Sequence, residues 1–308
     1  MDARGLLAGV AFGDTYGLWW EFRWPQPRER WSYDLSLLIG IELCGNRYCY
    51  SDDTEMTIIL AEELLDDCSI DQDKFALRLA ANARLGMDVR RYGTTTSSVL
   101  RMIRSGEDWR EASKYMLGKL GSPGNGSSIR VAPIAAFYDN ISDVIVAAKH
   151  QSIVTHMHPL SIEGSYLLAI AQHITLRGVK YKELIDELIP YAESRVYKYK
   201  LSIIPSLLDS RPIDVVRKLG NGAQAPNSVP TAIYCYIQSR GDPAKATLCA
   251  INIGGDTDSI ASMATSLAGA ASGIESFPQE LLKRVENIEY IIELAERLIR
   301  IKNKCRQQ

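Results

Sequence analysis

Two stretches of this chain, Gly5 to Gly17 (GLLAGVAFGDTYG) and Ser259 to Gly273 (SIASMATSLAGAASG), read as helices in which small residues are unusually frequent. Small side chains let helix backbones approach closely, so both runs are placed at the centre of a helical bundle. Core packing alone explains the small residues but not the acids at the end of each run. The first leads through Asp14 to Glu21 in GDTYGLWWEF, and the second opens on Asp256 and Asp258 in GGDTDSIAS. A third acidic island, SDDTEMT, carries Asp52 and Asp53 ahead of an apolar helical run. The acidic ends are expected to share one pocket.

Carboxylate and hydroxyl oxygens are hard ligands suited to Mg²⁺, Ca²⁺ or Mn²⁺, whereas Zn²⁺ favours the His and Cys that these islands lack. Ser51-Asp52-Asp53-Thr54 reads as a helix N-terminus, where exposed amides help hold carboxylates. In Gly254-Gly255-Asp256-Thr257-Asp258-Ser259 the glycines permit a tight turn, and the aspartates at i and i+2 can face one centre. Alone, SDDT is also a solvated helix cap and GGDTDS a plain turn. Together they read as a two-metal centre, and their separation in sequence is no objection because closure entropy grows slowly with loop length.

Helical periodicity dominates elsewhere. Apolar stripes run through Met56 to Leu65, Phe75 to Leu85, Ser97 to Ile103, Ile162 to Thr175 and Tyr181 to Tyr191. A C-terminal stripe joins Leu281, Val285, Ile288, Ile292, Ala295 and Ile299 into one surface helix. No hairpin series or β-α alternation is present, which predicts an all-α fold. With 308 residues, 46% hydrophobic and 23% charged, and no linker or repeat, the chain is expected to form one domain over residues 1–308. A net charge of -2 gives no general attraction to nucleic acid or anionic membrane. No apolar run reaches spanning length and no cleavage-site pattern follows the N-terminus, so the expected location is the cytoplasm.

Three further features bear on a site. The long aperiodic stretch from Arg23 to Tyr50, with Trp24, Pro25, Pro27, Trp31 and Tyr33, is a candidate lid. Gly121-Ser122-Pro123-Gly124-Asn125-Gly126-Ser127-Ser128 offers free amides and hydroxyls that can cradle an anion, although a plain loop has the same composition. His156 and His158 form an HxH pair, read as hydrogen-bonded histidines rather than metal ligands. The six cysteines, lacking a CxxC, read as free or buried thiols, with Cys44 and Cys49 able to pair across a turn in a hyperthermophile.

Taken in order, these segments resemble the ADP-ribosylglycohydrolase family, which includes the dinitrogenase-reductase-activating glycohydrolases. The matching stretches are GVAFGDTYGLWWEF, SDDTEMTIILAEELL, RRYGTTTSSVLRMI, GSPGNGSSIRVAPIAAFY, THMHPLSIEGSYLLA, SVPTAIYCYI and GGDTDSIASMATSLAGA. The resemblance implies a compact, orthogonal, all-α helix bundle whose two Mg²⁺ ions, or Mn²⁺, serve to cleave ADP-ribose from an acceptor. It implies metal ligands at Ser51, Asp52, Asp53, Asp256, Asp258 and Ser259, the two serines standing where the family usually has threonine. It places Glu21 beside the metals, in a catalytic set with Asp52 and Asp53. Gly121, Ser122, Asn125 and Gly126 fall in the phosphate-side loop and His156 in the pocket, while Pro123 replaces an aromatic that some relatives have on the adenine side.

The arginine-directed branch resembles a pattern with an Asp shortly before its IG, where this chain has Arg91-Tyr92-Gly93. A cation there is expected to repel a guanidinium. RRYG and SVPTAIYCYI look more like the branch acting on ADP-ribosyl-serine and related O-linked adducts. The implied partner is an ADP-ribosylated protein or an ADP-ribose-containing small molecule, with Glu21 exchanging a proton during glycosidic cleavage. Rival readings are an arginine-directed hydrolase, a two-metal phosphohydrolase and a non-catalytic ADP-ribose-binding relative.

Overall fold

The structure is a computed structural model that describes residues 2–23, 27–42, 44–115 and 120–305. Among them it is helical, as predicted, with isolated bridges in place of strands. The N-terminal part holds α1 (Ala3–Gly17), α2 (Asp52–Asp67), α3 (Gln72–Asn82), α4 (Thr94–Arg104) and α5 (Trp109–Tyr115). The middle holds α6 (Gly126–Ile129), α7 (Ala132–Phe137), α8 (Ile141–Ile153), α9 (Pro159–Leu176), α10 (Leu184–Leu188), α11 (Arg195–Leu207) and α12 (Pro212–Leu219). The chain closes with α13 (Ala225–Gln238), α14 (Pro243–Ile253), α15 (Thr257–Ser272), α16 (Gln279–Leu282) and α17 (Ile288–Cys305).

The two small-residue runs become α1 and α15, and they pack antiparallel along their whole length. The reason lies in a four-residue spacing: Gly5, Gly9, Gly13 and Gly17 of α1 face Gly269, Thr265, Ala261 and Asp258 of α15 in turn. A Cβ on Gly9 would fall 2.4 Å from the Thr265 carbonyl oxygen, and one on Gly13 would fall 2.3 Å from that of Ala261. Backbone therefore rests on backbone. Because the pair is antiparallel, the C-terminal end of α1 meets the N-terminal end of α15. Thr257 fixes that end by donating its hydroxyl to the Gly17 carbonyl at 3.0 Å. Helices α2, α7 and α17 pack on the α1 side, and α9, α13 and α14 on the α15 side.

Three predictions from the sequence need correction. The C-terminal stripe is not one helix: the chain breaks after α16, Asn287 turns with φ 52°, and α17 starts at Ile288. The face that α17 buries runs through Ile288, Ile291, Leu294, Ala295 and Leu298, while Ile299 is exposed. Second, four cysteines are paired. Cys44–Cys49 closes the turn considered above, and Cys68–Cys305 ties the end of α2 to the end of α17; Cys235 and Cys249 stay free and buried.

Third, the described residues of the stretch from Arg23 to Tyr50 do not cover the acids as a lid. Arg28 and Ser32 bond Asn252 on α14, the Trp31 indole donates to Ser210, and Tyr48 pairs with the chain before α17. Trp24 and Pro25 lie outside the described residues.

The glycine face gives a direct test. Gly9→Ala is expected to destabilise the protein by about 1–3 kcal/mol, the scale of overpacking, despite the better helix propensity of alanine. Gly86→Ala, where nothing lies within 4 Å, is expected to change stability by less than about 0.5 kcal/mol. Urea denaturation of both variants checks the difference; equal effects would mean that the close approach is not what holds the helices together.

Candidate active site

The turn into α15 is made by Gly254 and Gly255, with φ 71° and 77°. A side chain at Gly255 is excluded twice, by its positive φ and by the Asn221 carbonyl oxygen 2.2 Å from its Cβ position. That carbonyl also accepts the Asp256 amide at 2.9 Å. Asp256, Asp258 and Ser259 are thereby held, nearly buried, at the first turn of α15, where the helix dipole favours negative charge.

Asp14 brings in the second island. It is fully buried on α1 and accepts the Ser51 amide at 3.0 Å, the Thr54 amide at 3.0 Å and the Thr54 hydroxyl at 2.5 Å. So it pins the start of α2 against α1 rather than fixing a turn of its own. Ser51 is the N-cap, its hydroxyl accepting the Asp53 amide at 3.2 Å. The Ser259 hydroxyl then donates to Asp53 at 3.0 Å and joins the two islands.

The glycine-rich loop is the third wall. Asn125 donates to Asp256 at 2.6 Å, and its amide donates to the Ala223 carbonyl at 2.9 Å. The Ser161 hydroxyl donates to the carbonyls of Ser122 and Gly124, both at 2.8 Å, and the Ser122 hydroxyl accepts the Gly124 amide at 3.1 Å. His156 packs against this loop and lines the cavity with it. Gly121, with φ 76°, fits against Met157, and His158 caps α9 instead of facing the acids.

These elements surround a cavity of about 330 Å³ onto which the N-terminal ends of α2, α4 and α15 open. It collects Glu21, Asp52, Asp53, Ser122, Asn125, Gly126, His156, Asp256, Asp258 and Ser259. Of the residues singled out in the sequence, Ser51 and Gly121 stand behind the wall. A larger cavity of about 420 Å³, bordered by Lys182, Asp209 and Arg240, contains none of them.

Sequence reasoning missed how the rim is tied. Arg91 donates from one nitrogen to Glu21 at 2.7 Å and to the Leu18 carbonyl at 3.1 Å. Its neighbours put it there: Arg90 and Tyr92 turn inward to Glu55, at 3.2 and 2.6 Å, and Arg90 also reaches Glu286 at 2.6 Å. Arg91, in the left-handed conformation with φ 48°, is left facing outward. The cation expected to repel a guanidinium is thus paired with the Glu21 carboxylate. RRYG carried the signal, but nothing in the sequence showed which arginine turned which way.

Glu21, Asp256 and Asp258 bring carboxylate oxygens within 4.8 Å of one another, and Asp52 and Asp53 add to the same crowd. Burial, and after it the neighbouring carboxylates, push Asp52, Asp53 and Asp258 well above the usual carboxylate range. Burial, with Glu21 nearby, raises Asp256 to about 6. Desolvated like charges with one arginine at the rim form a donor set that suits divalent cations.

The chain belongs to the ADP-ribosylglycohydrolase family, whose profile matches residues 2–308. ADP-ribosylhydrolase ARH3 of Bos taurus is 31% identical, over 98% of this chain and 93% of its own. The Homo sapiens ADP-ribosylhydrolase ARH3 is 30% identical over the same shares. Among solved structures, a chain of an "ADP-ribosylglycohydrolase-related protein complex" shares the fold with a TM-score of 0.75, 23% identity and 98% coverage of both chains. The protein is thus an enzyme of the ADP-ribosylhydrolase class.

The crowded acids set a pH dependence. Their folded pKa values lie above the unfolded value, so between about pH 4 and 6 the folded state holds more protons than the unfolded one. Stability gained from them is full below the unfolded pKa and is lost as pH rises through the folded pKa. In EDTA the melting temperature is expected to fall over this window, and millimolar Mg²⁺ is expected to remove the fall at the upper end. A melting temperature that is flat with pH and unmoved by Mg²⁺ would show that the acids are not coupled as described.

Proposed function

We propose that the enzyme hydrolyses the glycosidic bond between ADP-ribose and an oxygen acceptor, serine or a related residue on a protein, with two Mg²⁺ ions as cofactors and Mn²⁺ as a substitute. The observation that supports it most is the meeting of two aspartate pairs from separate helix N-termini in one cavity, with Glu21 at its rim and the glycine-rich loop in its lining. Ser51, Asp52, Asp53, Asp256, Asp258 and Ser259 would hold the ions, Ser51 also capping the Asp52–Asp53 turn. The ions, when bound, supply positive charge that orients the ribose diol and makes a coordinated water more acidic.

The chain's own residues supply the rest. Glu21, oriented by Arg91, takes the proton of the attacking water or gives one to the leaving oxygen as positive charge develops on the sugar. Asn125 steadies Asp256, so the carboxylates keep their places as charge shifts. Ser122, Gly126 and His156 hold the pyrophosphate beside Asn125, whose own N–H groups are committed to Asp256, Ser228 and Ala223, and that remote binding energy positions the reacting sugar.

The rim beside Glu21 carries Phe22, Arg91, Thr94, Thr95 and Thr96. Apart from the aspartate cluster, Glu21 is the carboxylate among the described lining residues, and a guanidinium acceptor would have to displace Arg91 to reach it. That arrangement supports an O-linked acceptor. No helix among the described residues is long and apolar enough to cross a membrane. The cytoplasmic placement read from the sequence joins this proposal in a restricted form: the compartment must be one in which two disulfides persist, a hyperthermophile cytoplasm being such a place.

Serine-linked and arginine-linked ADP-ribosyl peptides, assayed with Mg²⁺ and with EDTA, test the reading. Intact ADP-ribose is expected from the serine-linked peptide in Mg²⁺ alone; AMP as the product, or turnover of the arginine-linked peptide only, would defeat it. Asp258→Asn is expected to abolish turnover with the fold retained. Glu21→Gln is expected to keep ADP-ribose affinity and lower kcat about a hundredfold or more, the scale of lost acid-base catalysis. Unchanged kcat with weakened affinity would make Glu21 a binding contact instead.

A further inference from the structure

We propose that Thr155 and Arg130 act as positioning residues that hold His156 in the tautomer with its proton on Nε2, so that the imidazole donates a hydrogen bond to an anionic oxygen in the cavity. The tautomer follows from the hydrogen bonds alone. The identity of the anion, a phosphate of the substrate, rests on the function proposed above.

The chain of donors begins at Arg130, which lies between α6 and α7 and is fully buried. It donates to the Gln151 side chain at 2.5 Å, to the Gln151 carbonyl at 2.8 Å and to the Thr155 hydroxyl oxygen at 2.9 Å, and it lies over the Phe75 ring. Gln151 presents its oxygen to Arg130 because its amide nitrogen is committed to the Ser127 carbonyl at 2.8 Å and the Ser165 hydroxyl at 2.7 Å. A guanidinium has no acceptor, so Thr155 must accept from it.

That leaves the hydroxyl proton of Thr155 to place. Its remaining partner is the Nδ1 atom of His156 at 2.8 Å. If Nδ1 carried the proton, Arg130 and His156 would both donate to Thr155, and a fully buried hydroxyl proton would have no acceptor. With Nδ1 accepting, the Thr155 hydroxyl proton is satisfied, and the ring keeps one N–H, on Nε2. A doubly protonated ring is opposed by burial and then by Arg130, which lower His156 to about 3.

Nε2 faces the glycine-rich loop: a Cβ on Gly124 would lie 3.3 Å from it and one on Gly126 3.4 Å. The backbone behind it is fixed by the His156 amide, which donates to the Ser152 carbonyl at 2.7 Å. A neutral, directed donor is thus added to Ser122 where the glycine-rich loop lines the cavity.

Nitrogen-15 NMR of histidine-labelled protein reads the tautomer, with His156 assigned from a His156→Gln spectrum. The wild type is expected to show a bare Nδ1 and a protonated Nε2. Thr155→Val is expected to shift His156 toward a mixture and to weaken ADP-ribose binding in Mg²⁺ about tenfold by calorimetry, while Thr155→Ser restores both. Adenosine, which lacks phosphate, is expected to bind the wild type and Thr155→Val alike. A protonated Nδ1 in the wild type would overturn the proposal. So would an unchanged tautomer and affinity in Thr155→Val, or an equal loss for adenosine. If the wild type binds no ADP-ribose, the proposed function fails, and the spectra still decide the tautomer.

Discussion

Everything at the cavity depends on the contact of α1 with α15, backbone against backbone. Four glycines at intervals of four bring α15 so close that even a methyl group on α1 would meet its main chain. Such a contact has one register, because a slide by one residue would place Leu6, Val10 or Tyr16 against the same backbone. The register sets Asp14 over the start of α2 and Thr257 over the end of α1. Two islands far apart in sequence become neighbours because two helices have no freedom to slip.

The same precision makes the acid cluster costly. Aspartates that are buried and face one another are costly to charge: burial first, and the neighbouring carboxylates after it, push their pKa values up. Among the described residues the fold holds them by helix N-termini, by Asn125 and Ser259, and by the Asp14 contacts to the start of α2, rather than by salt bridges to lysine or arginine. Stability is thus given up at the site and recovered in the surrounding core, which is a common arrangement where charge has a use. Arginine is used at a distance: Arg91 orders Glu21 at the rim, and Arg90 anchors the segment that carries Arg91.

Much of this was legible in the sequence. The all-α fold, the central place of the two small-residue helices and the gathering of Asp52, Asp53, Asp256 and Asp258 follow from periodicity, side-chain size and helix-start chemistry. What escaped was decided by contacts that no local pattern encodes. The Leu281 to Ile299 stripe has a helical period, yet Asn287 breaks it because the chain there must turn to reach Tyr48 and Arg90. Cys68 and Cys305 carry no local sign of their pairing, since helix packing brings them together across most of the chain. Arg91 looked like a free charge because its partner, Glu21, is distant in sequence. The relay from Arg130 through Thr155 to His156 was hidden for the same reason, although Thr155 and His156 are adjacent.

If the register of α1 on α15 exists to assemble a cation site, the cation must be measurable without any substrate. Calorimetric titration of EDTA-stripped protein with Mg²⁺ is the deciding experiment. The account predicts two ions bound per chain, with Asp256→Asn and Asp53→Asn each weakening the binding. An absence of binding into the millimolar range, for Mn²⁺ as well as Mg²⁺, would contradict it and leave the crowded aspartates without a purpose in this fold.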